Sequence, residues 1–127
     1  MYHCRIIAGT YSYASGLEVG RALIAQRELP DAIFCSGDVN GFGVIDAIRR
    51  YSDRKLGENI SVAGYDAPII DEFKGYSMTG FRQPNEQLAQ DAVEMLMGMM
   101  ESHDTAVNVI QRPMKLIIRD STINCKK

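Results

Sequence analysis

The sequence predicts an α/β fold built on a parallel sheet, and three observations carry that prediction. Ala32-Ile33-Phe34-Cys35 is a continuous apolar run of strand length, as expected of a strand buried on both faces. Val44, Ala47, Ile48 and Tyr51 follow at i, i+3, i+4 and i+7, the spacing of one helix face. A second β-rich run, Ile60-Ser61-Val62-Ala63-Gly64-Tyr65, then follows a charged loop, so strand, helix and strand alternate with short links.

The remaining elements fit around this unit. At the N-terminal side, Arg5-Ile6-Ile7-Ala8 is a short strand or extended segment ending in Gly9-Thr10-Tyr11-Ser12. Val19, Ala22 and Leu23 then take helical spacing. Ser15 and Glu18 have the separation of a capping box, and Ser12 is an equally good cap one turn earlier. Leu29-Pro30-Asp31 breaks this helix, and Ser36-Gly37-Asp38 supplies the turn and N-cap for the next. Beyond Asp66, the segment Ala67 to Phe73 suits a short helix with Pro68 in its first turn, and Ser77 to Arg82 suits a strand. Pro84 opens the longest helical pattern, whose stripe of Leu88, Ala92, Met95, Leu96 and Met99 requires a partner surface. Val107 to Ile110 and Met114 to Ile118 read as strands separated by Pro113, and the tail from Asn124 as frayed.

Composition narrows the function classes. The 127 residues are 46% apolar and 24% charged, which is one globular core's worth, without repeats or low-complexity tracts. Net charge is −2 with Lys and Arg scattered, so these residues lack the basic footprint that phosphate contacts demand. Cys4, Cys35 and Cys125 form an odd set without CxxC spacing, which suits a reducing cytoplasm. No export leader is visible and no apolar run approaches the ~18 residues of a membrane span.

Catalytic and cofactor motifs are weighed and set aside. Gly41-Phe42-Gly43 invites a dinucleotide reading, yet position 46 is Asp and the glycines follow the helix cap. Close approach of the helix to a neighbour is the better account of them. His3, Cys4, Cys35, His103 and Cys125 lack zinc spacing, so no metal and no cofactor are expected. No Gly-x-Ser-x-Gly elbow and no nucleophile–base pair is visible, so the chain is expected not to be an enzyme. The methionines of the long helix, Met95, Met97, Met99 and Met100, are read as packing residues.

Two carboxylates stand directly after predicted buried strands, where open α/β sheets place their ligand crevices. Asp38 is read first as a helix N-cap. Asp66 is the stronger ligand candidate, because no long helix follows it and its carboxylate can accept bidentate hydrogen bonds from vicinal sugar hydroxyls or from donors on a purine. Tyr11 also follows a short strand, either as a surface tyrosine or as an aromatic face for the apolar side of a sugar ring.

The order of four segments is more specific than any of them alone. Pro30-Asp31-Ala32-Ile33-Phe34-Cys35-Ser36-Gly37-Asp38, Ile60-Ser61-Val62-Ala63-Gly64-Tyr65-Asp66, Phe81-Arg82-Gln83-Pro84 and Ile118-Arg119-Asp120-Ser121-Thr122 together resemble the LacI/GalR family from about Ile6 to Thr122. The resemblance implies a Rossmann-like, three-layer αβα half of a periplasmic-binding-protein-like core. It implies a C-terminal lobe over about 5–82, a helix and strand of the N-terminal lobe over about 84–112, and a return strand over about 113–122. The long helix would then lack the sheet it normally covers. By the same likeness, Asp66, Tyr11, Asn85 and Gly37 fall at ligand-binding positions. Gly37 departs from the asparagine usual in the family, which enlarges the pocket or alters ligand preference, and Ala67 replaces a second aspartate.

The family likeness also implies dimerisation through Tyr13, Leu17, Phe42, Ile45, Glu72 and Phe73. Phe42 and Ile45 are three apart, on a helix face distinct from that of Val44 and Ile48, which suggests one face for the sheet and one for a partner. The expected function is the effector-binding and dimerisation region of a LacI-type regulator, with a small-molecule effector, a sugar, and with DNA bound only through a headpiece outside this sequence. A periplasmic-type sugar-binding component of a transporter is the alternative.

Overall fold

The computed structural model describes residues 4–26, 29–65, 75–102 and 108–123. In chain order the elements are α1 (Tyr13–Ile24), β1 (Ala32–Cys35), α2 (Asp38–Tyr51), β2 (Ser61–Tyr65), β3 (Thr79–Arg82), α3 (Asn85–Ser102), β4 (Lys115–Ile117) and α4 (Asp120–Ile123). One sheet holds all four strands in the order β1-β2-β3-β4. β1, β2 and β3 are parallel, with Cys35 opposite Gly64 and Gly64 opposite Gly80. β4 returns antiparallel along β3. The expected short helix after Asp66 lies outside the described residues.

Local sequence accounts for most of these boundaries. Ser12 caps α1, its side chain accepting the Ser15 amide, so the helix begins a turn before the Ser15 box. The expected strand at Arg5 to Ala8 stays outside the sheet, and Ile6 is 94% exposed. Residues 108–110 likewise carry no regular structure. An apolar run becomes a strand only where a neighbouring backbone offers its ladder of hydrogen bonds.

The core lies between α2 and the sheet, where Val44, Ile45 and Ile48 meet Cys35, Ile60, Val62 and Met78. This corrects the placement of Ile45 on a partner-facing surface: the residue is fully buried within its own chain. At about 100° per residue, positions 41, 44, 45 and 48 share one stripe about 100° wide. Spacing alone split that stripe in two.

The second face of α2 is occupied by α1. A Cβ on Gly20 would stand 2.6 Å from the Ala47 Cβ, one on Gly43 would stand 2.5 Å from the Leu17 amide nitrogen, and one on Gly16 would stand 2.8 Å from the Asn40 carbonyl carbon. Glycine and alanine four apart on each helix therefore let the two backbones touch. Gly41 faces the other way, where a Cβ would meet Met78 Cε at 2.8 Å, so close packing does explain Gly41 and Gly43.

Two surfaces remain open among the described residues. Phe34 and Leu116 on the sheet are 62% and 50% exposed, and α3 buries none of its residues. The α3 helix is tied to the following segment through Asp91, which accepts two hydrogen bonds of 2.7 Å from Arg112.

Candidate functional site

The C-terminal ends of β1, β2 and β3 open on one edge of the sheet, because the three strands are parallel. Each leads to a candidate: β1 to Gly37, β2 to Asp66 and β3 to Asn85. Asp66 lies outside the described residues. Gly37 and the end of β2 are neighbours, since a Cβ on Gly64 would lie 3.8 Å from the Gly37 carbonyl oxygen. Asn85 is the exposed first residue of α3. Parallel topology thus places the strand ends that precede positions 37 and 85 on one edge of the sheet, although the two lie 48 positions apart in sequence.

Tyr11 joins the same edge from the turn before α1. Its ring lies against Gly37, and its hydroxyl donates to Asp38 Oδ1 at 3.3 Å. Tyr11 as a residue is 62% exposed. Asp38 is nearly buried, at 8% exposure, and also accepts the Val39 amide at 2.6 Å. The N-cap position itself belongs to Gly37, which has no side chain to offer, so Asp38 serves the helix from the first turn, where its charge also suits the positive end of the helix dipole. Its second partner, Tyr11, was not legible in sequence. Pairing 27 positions apart leaves no local signal.

The volume that a side chain at 37 would take is filled by Tyr11: a Cβ there would stand 2.7 Å from its Cζ and 2.9 Å from its Cδ2. Asn40 adds a further tie, its amide donating to the Thr10 carbonyl at 2.7 Å and holding the turn that carries Tyr11.

Two of the residues expected at a dimer interface, Tyr13 and Phe42, belong to a different cluster. Tyr13 and Tyr76 both donate to Asp46 Oδ2, at 2.7 and 3.1 Å, and the Phe42 ring packs on Tyr76 with centroids 4.3 Å apart. Arg49 lies over the Tyr76 ring and donates to the Gly75 carbonyl. Both tyrosines are pushed above their ordinary pKa. For Tyr13 the chief cause is its hydrogen bond to the Asp46 carboxylate; for Tyr76 burial comes first and that same bond second. Tyr13, Leu17 and Phe42 are half-buried, while Glu72 and Phe73 lie outside the described residues. Asp46 was not singled out by sequence, where it reads as one more polar residue of α2.

The described residues hold no cluster of His, Cys, Asp or Glu able to bind a metal ion. No helix among them is long and apolar enough to cross a membrane. Burial pushes the Cys35 thiol up to about 11, which leaves it protonated and unreactive at neutral pH.

The chain matches the periplasmic binding protein-like domain family over residues 1–122. The HTH-type transcriptional repressor PurR of Pectobacterium atrosepticum is 33% identical over 116 residues, covering 91% of this chain and 34% of the repressor. PurR of Haemophilus influenzae is 31% identical over 119 residues, with 91% and 35% covered. This chain therefore spans about a third of the length of these relatives. Among solved structures, the transcriptional regulator CelR in complex with cellobiose shares 26% identity and a TM-score of 0.77 over 89% of this chain and 34% of that one. A LacI family regulator from Enterococcus faecalis V583 with bound ribose has the same fold, at a TM-score of 0.83 and 24% identity over 96% of this chain and 45% of that one. The family match over residues 1–122, the repressor relatives and a sheet of three parallel strands with an antiparallel return agree: this chain belongs to the LacI/GalR family, as part of its periplasmic-binding-protein-like core.

Proposed function

We propose that this chain is the effector-binding and dimerisation region of a LacI-type, DNA-binding transcriptional regulator, and that its effector is a sugar. The observation that carries this reading is the Tyr11 ring, presented at the C-terminal edge of the parallel strands and held there by Gly37 and Asp38. An aromatic face beside strand-end polar groups suits a sugar ring, which has an apolar face and a rim of hydroxyls. Asp66, next after β2, is the residue assigned to those hydroxyls, and Asn85 approaches from the start of α3. The structural neighbours holding cellobiose and ribose support a sugar over other small metabolites.

The role is non-enzymatic, in keeping with relatives named as repressors. Residues 5–82 supply one lobe, α3 belongs to the second, and the chain returns over 113–122. Effector binding biases the relative placement of the lobes, and DNA contact falls to a headpiece elsewhere in the complete protein. Dimer contacts involve Tyr13, Leu17 and Phe42 with Glu72 and Phe73; Ile45 leaves that set because it is buried in its own core.

In the complete regulator, calorimetry with ribose, cellobiose and lactose is expected to find a sugar that binds. Asp66→Ala should abolish the response to that sugar and leave operator binding intact. Unchanged induction in the variant would remove Asp66 from the site. Leu17→Glu should shift sedimentation from dimer toward monomer, and an unaltered dimer would move the interface elsewhere.

A further inference from the structure

We propose that Gly37 and Asp38 form a seat for the Tyr11 ring, so that position 37 selects the ligand by what it allows Tyr11 to do, in favour of compounds that present a ring face. This rests on the effector-site reading above and says how that site discriminates.

The argument begins with the backbone of Gly37. Its φ of −155° and ψ of 158° are ordinary extended values that any residue adopts, so conformation does not require glycine. Space does. The three atoms nearest to a Cβ at 37 are Cε2, Cζ and Cδ2 of Tyr11, all inside van der Waals contact. A side chain at 37 and the Tyr11 ring in this position exclude each other.

Asp38 then ties the ring through its hydroxyl. Its carboxylate sits at the start of α2, held by the Val39 amide at 2.6 Å, and receives the Tyr11 hydroxyl at 3.3 Å. The anchor is nearly buried and the tyrosine it holds is 62% exposed as a residue, so a buried carboxylate carries an accessible aromatic side chain. Asp38 is a positioning residue here, acting on ligand through Tyr11.

A polar side chain at 37 would offer its own group at this edge of the sheet. With glycine, that place is taken by an aromatic surface, which attracts CH groups and π faces and offers a hydroxyl chain little. The shared chemistry is a ring with an apolar or π face, whether from the less substituted side of a pyranose or from a planar heterocycle.

The test uses the complete protein with 13C-labelled tyrosine rings and, as probes, cellobiose, adenine and the open-chain polyol sorbitol. Tyr11→Phe identifies the Tyr11 ring resonance. Without ligand, Gly37→Ala should move that resonance and leave those of Tyr13 and Tyr76 in place, with Asp38→Asn moving it less. An unmoved Tyr11 resonance in Gly37→Ala overturns the seat. With ligand, wild type should bind a ring probe at least tenfold more tightly than sorbitol, and Gly37→Ala should lose tenfold or more of that affinity. Tyr11→Ala with Gly37→Ala should be no weaker than Tyr11→Ala alone, because both changes remove the same ring contact. Additive losses, or tighter binding of sorbitol, overturn ring selection. If wild type binds none of the probes, the effector reading and ring selection fail together, while the resonance of Tyr11 still decides the seat.

Discussion

Ser121 is fully buried, and its hydroxyl is committed in both directions: it donates to the Val62 carbonyl at 2.6 Å and accepts the Thr79 amide at 2.8 Å. Thr79 extends the clamp, pairing with Thr122 and accepting the Arg119 amide at 2.8 Å. Ser121→Ala leaves a buried N–H and a buried C=O unpaired, at a cost of about 1–3 kcal/mol. Urea unfolding should show this as a lower midpoint at constant m value, and a loss below ~0.5 kcal/mol would mean that water replaces the hydroxyl. At Cys35, burial gives a kinetic prediction: iodoacetamide at pH 8 should label the exposed Cys4 well before Cys35, as read by peptide mass spectrometry, and equal rates would contradict the packing. In the sequence, Ser121 was visible only as a member of a family pattern, and Gly37 as a departure from one. Their physical roles were hidden because each acts on a partner at least 26 positions away.

The helices show what spacing can and cannot reveal. The strands β1 and β2, both helices around them and the Ser12 cap follow from runs, periods and punctuation within about a dozen residues. Which face of α2 meets which neighbour does not, and so Ile45 was assigned to the outside. The close α1–α2 contact predicts that Gly43→Ala forces the helices apart, at a cost of about 1–3 kcal/mol against a gain below ~1 from helix propensity. Thermal unfolding should therefore fall, and a rise in Tm would show that the helices re-seat freely. The Tyr13–Asp46–Tyr76 cluster adds a pH prediction. Both phenols favour their protonated form in the fold, so their contribution is complete below the ordinary value of 10.0 and is lost as pH rises above it. Asp46→Asn should draw the alkaline absorbance titration of two tyrosines down toward 10; an unchanged curve would detach them from the carboxylate.

Across the whole chain, the apolar surface is unevenly used. Val93, Leu96, Met97 and Met100 of α3 are more than half exposed, whereas α2 and β2 form the buried centre. Amide hydrogen exchange of the 127-residue chain should thus be slowest in β2 and α2 and fastest in α3, and uniform protection would indicate a surface covered in solution. The sequence announced the stripe on α3 and its need for a partner, but a stripe names no occupant. The clamp at Ser121 has a consequence in time as well as in space. β1, α2, β2 and β3 are synthesised before residues 115–123, so the Thr79 amide and Val62 carbonyl must wait for Ser121 to be made and to reach them. The nascent sheet stays open at its growing side until that hydroxyl arrives, so a residue made after the three parallel strands is the one that locks them.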